Sequence, residues 1–107
     1  MNLSIRSEKK VDMDVLYLAG EIDAYTAPKL REELLPLAES GTDVRIDLSE
    51  VQYIDSTGLG VFIGALKATD ANGTRLTLVG MSQRVQRLFT ITGLDEVMAI
   101  EEGEGSK

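Results

Sequence analysis

Cysteine, histidine and tryptophan are absent from the 107 residues, prolines number only 2, and aromatic side chains make up 5% of the chain. Without Cys there is no disulfide scaffold and no thiol nucleophile. Without His there is no Ser-His-Asp triad, and without either there is no ordinary zinc centre. Positive charge is scarce as well. The 11 Lys+Arg face 18 Asp+Glu, and a net charge of -7 argues against nucleic acid or an anionic lipid surface as partner. No stretch approaches the ~18 apolar residues needed to span a bilayer. The first ten residues, MNLSIRSEKK, lack the unbroken apolar segment of a secretory leader. The expected location is the cytoplasm, with no membrane and no nucleic acid among the partners.

What is present is ordinary folding material. The 43% hydrophobic and 27% charged content suits one soluble domain with a single layered core. Leu3 and Ile5 alternate with polar residues, as in a half-exposed strand, and Val15 to Ile22 is nearly continuous apolar sequence, as in a strand covered on both faces. Gly20 inside it marks a bulge or a close backbone approach. Thr26 is placed to cap a helix with Pro28 in its first turn and Ala27, Leu30, Leu34, Leu37 and Ala38 inward. Pro36 predicts a bend or an early 3₁₀ finish, with Gly41 as the C-terminal cap. Val44, Ile46 and Leu48 predict a third strand, followed by a connector through Asp55. A helix over 57–71, a strand at Leu76 to Val79, a Ser82-capped helix ended by Gly93, and a short strand or turn at Val97 to Ile100 complete the chain. The order is β-β-α-β-α-β-α plus a short ending. That makes an α/β fold with a mixed sheet, an N-terminal hairpin and parallel units joined by right-handed crossovers.

Residues 54–66 break the local rules. Asp55, Ser56 and Thr57 place N-cap-type side chains in succession at one helix mouth, where a single one suffices. Gly58, Gly60 and Gly64 then sit inside the helix, each costing about 1 kcal/mol relative to Ala. No charged residue occurs from Ser56 through Leu66. On a helical wheel Leu59, Phe62, Ile63 and Leu66 form the natural core stripe. Gly58, Val61, Ala65 and Ala68 form a second stripe of small residues, which either packs tightly on the sheet or stays exposed for a partner to dock on. Ser56 at the helix start could cap the helix, bind a phosphate or be phosphorylated itself. The glycines do not make a nucleotide loop: the third position of the dinucleotide fingerprint is Ile63, and no Gly-Lys-Ser/Thr sequence exists.

Three segments together are familiar: Gly20-Glu21-Ile22-Asp23 with the Thr26-Ala27-Pro28 helix start, Tyr53 through Gly60 (YIDSTGLG), and Leu88 through Leu94 (LFTITGL). They resemble the STAS domain of bacterial anti-sigma factor antagonists, and most of all those of the general-stress sigma-B pathway of Gram-positive bacteria. The resemblance implies a STAS domain over residues 1–100, with 101–107 an acidic, flexible tail. It also implies partner switching. The unphosphorylated antagonist binds an anti-sigma factor that is also a serine kinase (RsbW-like), freeing the sigma factor. The kinase phosphorylates the motif serine, the complex separates, and a PP2C-type phosphatase (RsbU-like) resets the protein. By position Ser56 is the phosphoacceptor, with Thr57 the second choice. Asp23 lies beside it, Asp55 precedes it, and Gly58, Val61 and Ala65 extend the partner surface. No cofactor, metal or catalytic residue is implied. Two other readings stand beside this one. In a receiver-like phosphoaspartate domain, Asp47 would be the acceptor and Glu21 with Asp23 an acidic pocket. A hydrolase with Ser56 as nucleophile would have no His or Cys base. Tyr17, Tyr25 and Tyr53 are read first as core or edge residues, and second as reporters on the partner surface.

Overall fold

A computed structural model describes residues 2–102, so the expected tail lies outside the described residues from Gly103 onward. The elements are β1 (Leu3–Lys9), β2 (Met13–Ile22), α1 (Ala27–Glu39), β3 (Asp43–Ile54), α2 (Ser56–Ala71), β4 (Leu76–Val79), α3 (Gln83–Ile91), a 3₁₀ turn (Leu94–Glu96) and β5 (Ala99–Glu101). The five strands form one sheet in the order β1-β2-β3-β4-β5. β1 pairs antiparallel with β2, and every later neighbour is parallel. Strands that follow one another across a sheet through right-handed crossovers put all their helices on one face. The contact between Phe62 of α2 and Phe89 of α3, with ring centroids 6.2 Å apart, confirms that arrangement.

The core fills the space between this helical layer and the sheet. Leu16, Leu18 and Ile22 of β2 and Val44, Ile46, Leu48, Val51 and Ile54 of β3 meet Leu30 and Leu34 of α1, Phe62 of α2 and Phe89 of α3 in one cluster. Among the described residues, no helix lies over the opposite sheet face. The apolar run of β2 therefore does not mean coverage on both sides. Tyr17 and Ala19 are half-buried on the open face, where the Arg6 guanidinium lies 4.1 Å above the Tyr17 ring.

Two sequence expectations are corrected here. The segment after Leu48 is strand, not connector: β3 runs on to Ile54. Its buried positions are spaced by three rather than two because the pairing with β2 shifts register at Tyr17/Ala19 and again at Gly20/Glu21. Each bulge inserts one residue and hides the alternation that identifies a strand. Gly20, expected to mark such a place, does so with φ +119 and with the Asn2 carbonyl where a side chain would stand. Pro36 does not end α1, which continues to Glu39 with Ser40 as its C-cap. Pro36 and Glu32 are both on the exposed side, where water takes the carbonyl that proline leaves unpaired.

Candidate functional site

β2 and β3 end side by side, with Ile22 paired to Ile54 and the Asp55 amide donating to the Ile22 carbonyl at 3.1 Å. Beyond these ends the chain turns into α1 and α2, whose N-termini open at the carboxyl edge of the sheet. In open α/β sheets this is where binding residues gather.

Asp55 is extended (φ -104, ψ -175), and its Oδ1 accepts the amides of Thr57 at 2.9 Å and Gly58 at 3.1 Å. It is the N-cap of α2, and the place a helix start offers to an anion is filled by this carboxylate. Ser56 therefore does not cap. It is the first residue of α2, it is exposed, and its hydroxyl has no hydrogen-bond partner among the described residues. Thr57 is exposed beside it.

Asp23, placed beside Ser56 by the resemblance, is turned inward. Only 6% exposed, it directs Oδ1 at the amides of Tyr25 (2.9 Å) and Thr26 (3.1 Å). Thr26 occupies the N-cap position of α1 without capping it. Its hydroxyl donates to the Glu21 carbonyl at 2.9 Å and accepts the Asp23 amide at 2.9 Å. The segment 21–26 is thus a closed, cross-bonded turn. Asp23 Oδ2 is buried with no partner among the described residues, a cost the turn carries beside the site.

The faces of α2 are also corrected. Gly58, Val61 and Ala65 are buried, so the small stripe is not an open docking strip; Val61 is 1% and Ala65 0% exposed. A Cβ on Gly58 would stand 2.6 Å from Ile22 Cγ2 and 3.0 Å from Ile54 Cγ2, so this glycine exists to let α2 lie close over the strand ends. α2 packs on α1, reaches α3 through Phe62 and lies over the sheet, so its buried arc is wider than a single-stripe wheel allows. Ile63 and Leu66, expected inside, are half-buried instead.

The outward ridge of α2 is Ser56, Gly60, Ile63, Gly64 and Lys67, spaced as one helical stripe. Among the described residues, and apart from α2's own adjacent backbone, nothing lies within 4 Å of a Cβ built on Gly60, and one built on Gly64 meets Leu35 Cδ2 at 4.0 Å. Packing does not require either glycine. The signal for this ridge was in the sequence, in glycines that cost helix stability; what was missing was which of them the sheet needs.

The two alternative chemistries do not find their geometry. Asp47 lies in the middle of β3, not at its end, and its Oδ1 is held by the Ser49 amide at 2.9 Å and the Ser49 hydroxyl at 2.6 Å. A receiver acceptor needs a free carboxylate at a strand's carboxyl end, inside an acidic metal pocket. No group of three or more potential metal ligands exists among the described residues. Ser56 as a nucleophile has no base hydrogen-bonded to it among the described residues. No described helix is long and apolar enough to cross a membrane.

The model of the STAS domain family matches residues 4–106, nearly the whole chain. The chain belongs to the STAS domain family. Among its relatives, the anti-sigma-B factor antagonist of Listeria monocytogenes is 50% identical over 107 residues, covering 98% of this chain and 94% of that protein. The anti-sigma-B factor antagonist of Bacillus subtilis is 48% identical over 100 residues, covering 94% and 92%. The fold is shared with the crystal structure of a putative anti-sigma factor antagonist from Thermotoga maritima, at TM-score 0.86 and 23% identity, over 94% of this chain and 87% of that one. Ser56 lies at the head of α2, on the strand-end side of the domain.

Proposed function

We propose that this STAS domain is an anti-sigma factor antagonist of a sigma-B-type switch, gated by phosphorylation of Ser56. The unphosphorylated chain binds an anti-sigma factor that is also a serine kinase and so frees the sigma factor. The same kinase transfers phosphate from ATP to Ser56, and a PP2C-type phosphatase removes it. The setting is the cytoplasm, where sigma factors and ATP meet. The chain acts by binding and performs no chemistry of its own. The names of relatives at 48–50% identity support the antagonist role.

One observation carries the gating: Ser56 Oγ is free and exposed at the head of a bald helical ridge, while Asp55 already fills the helix's anion seat. A phosphoryl group on Ser56 adds about -1.5 to -2 charges. It cannot be absorbed into the helix start, because the Thr57 and Gly58 amides are taken. The new dianion projects into the surface beside Asp55, where a docked partner would have to desolvate it, and each ~1.4 kcal/mol of that cost weakens binding about tenfold.

The test is a binding titration of the purified kinase against the unphosphorylated chain, its Ser56 phosphoform and Ser56→Ala. The reading requires Ser56→Ala to bind like the unphosphorylated chain and to resist release by ATP, while the phosphoform binds at least about a hundredfold more weakly. Equal affinity of the phosphoform and the unphosphorylated chain would overturn it.

A further inference from the structure

Tyr25 is 87% exposed, although nothing in the fold needs an aromatic ring there. It sits at the apex of the 21–26 turn, which is anything but loose. Its own amide is bound to Asp23 Oδ1, and the Thr26 hydroxyl ties the turn to Asp23 and Glu21. A large apolar ring is thus held in water on a fixed backbone. Tyr53, on the open face of β3 directly before the strand end, is 46% exposed and pairs in register with Glu21. Tyr25 and Tyr53 flank the strand ends from which Ser56 departs.

We infer that Tyr25 is an aromatic anchor for the protein that phosphorylates Ser56, with Tyr53 at the border of the same contact; this rests on the proposed function above. Footprint size supports the assignment. A stable protein–protein contact covers about 800 Å² on each partner, a patch of roughly 16 Å radius. The path from Tyr25 through Asp23 to the Ile22 carbonyl, across its 3.1 Å hydrogen bond with the Asp55 amide and on to Ser56, is at most about 18 Å. A partner whose active site closes over Ser56, and which also remains bound before transfer, extends to the turn that carries Tyr25. Such contacts draw much of their strength from a few aromatic or Arg residues seated in the partner's pockets. A tyrosine on a prefixed turn loses little freedom on docking, having only two side-chain torsions to settle. The occupant is therefore a protein surface with an apolar slot that takes the Tyr25 ring. Asp23 is a positioning residue: it holds the turn and does not face the partner.

The experiment measures the affinity of the unphosphorylated chain for the purified kinase, with Tyr25→Ala, Tyr25→Phe and, as control, Val11→Ala. Val11 is fully exposed in the β1–β2 turn, at the other end of β2. Tyr25→Ala is expected to weaken binding by about tenfold or more, and Tyr25→Phe to retain most of it. Val11→Ala should leave binding unchanged. The thermal midpoint of Tyr25→Ala should match the parent, since the ring is in water. Tyr25→Ala binding within twofold of the parent would overturn the anchor. That outcome is separable from failure of the gating: if the phosphoform binds like the parent while Tyr25→Ala does not, the anchor stands and the switch falls.

Discussion

Asp55 caps α2 in place of Ser56, its carboxylate accepting the amides of Thr57 and Gly58 at 2.9 and 3.1 Å. The division of labour between these neighbours lets a hydroxyl be chemically modified without the helix depending on it. Phosphorylation of Ser56 should accordingly leave the far-ultraviolet circular dichroism unchanged and the thermal midpoint within a few degrees of the parent, because no fold contact is lost. A large loss of helical signal in the phosphoform would contradict this.

Removing the cap is a different matter. Asp55→Ala should cost about 1 kcal/mol, lowering the thermal midpoint by roughly 4–8 °C for a domain of this size. Ser56→Ala, at the adjacent position, should cost far less. Calorimetry of the two variants side by side makes the comparison.

The glycines of α2 should separate into two kinds. Gly58→Ala places a methyl against Ile22 and Ile54 and is expected to destabilise by about 1–3 kcal/mol, as overpacking does. Gly60→Ala adds its methyl to open space and should raise stability by up to about 1 kcal/mol while weakening partner binding. Urea denaturation read beside a binding titration tests both halves. A Gly60→Ala chain that is stabilised and binds normally would remove the ridge from the interface.

Asp14 supplies a pH dependence remote from the site. Burial raises its pKa, but the hydrogen bonds from Lys9 at 3.0 Å and Thr42 at 2.8 Å, with the Lys9 charge, outweigh this and hold the carboxyl below the ordinary aspartate range. A folded-state pKa below the unfolded value, about 3.9, stabilises the fold above that pH and loses its contribution as pH falls through the folded value. The stability gap between the parent and Asp14→Asn should be constant near neutrality and narrow below about pH 4. Urea midpoints across that range measure it, and a gap that widens on acidification would contradict the sign.

Much of this molecule was legible in the chain because its cues are local. Leu30, Leu34 and Ala38 recur at helical spacing and are buried, Ser82 caps α3 through the Val85 amide, and Asn72 ends α2. The motif around Ser56 could be read for the same reason. The end of β3 could not, since the two bulges against β2 exist only in the pairing and erase the alternation from the strand's own sequence.

The sequence by itself determined the order of elements, the family, and the placing of an exposed hydroxyl at a helix start, since caps, periodicity and motif spacing act over a few residues. Only the tertiary structure decided which side of α2 is the outside. Its uncharged residues could satisfy either face, and the choice came from α1, α3 and the sheet enclosing Val61 and Ala65 and leaving Gly60 exposed and Gly64 half-buried. The same holds for Tyr25, whose exposure follows from hydrogen bonds within residues 21–26 that no pattern of hydrophobicity encodes.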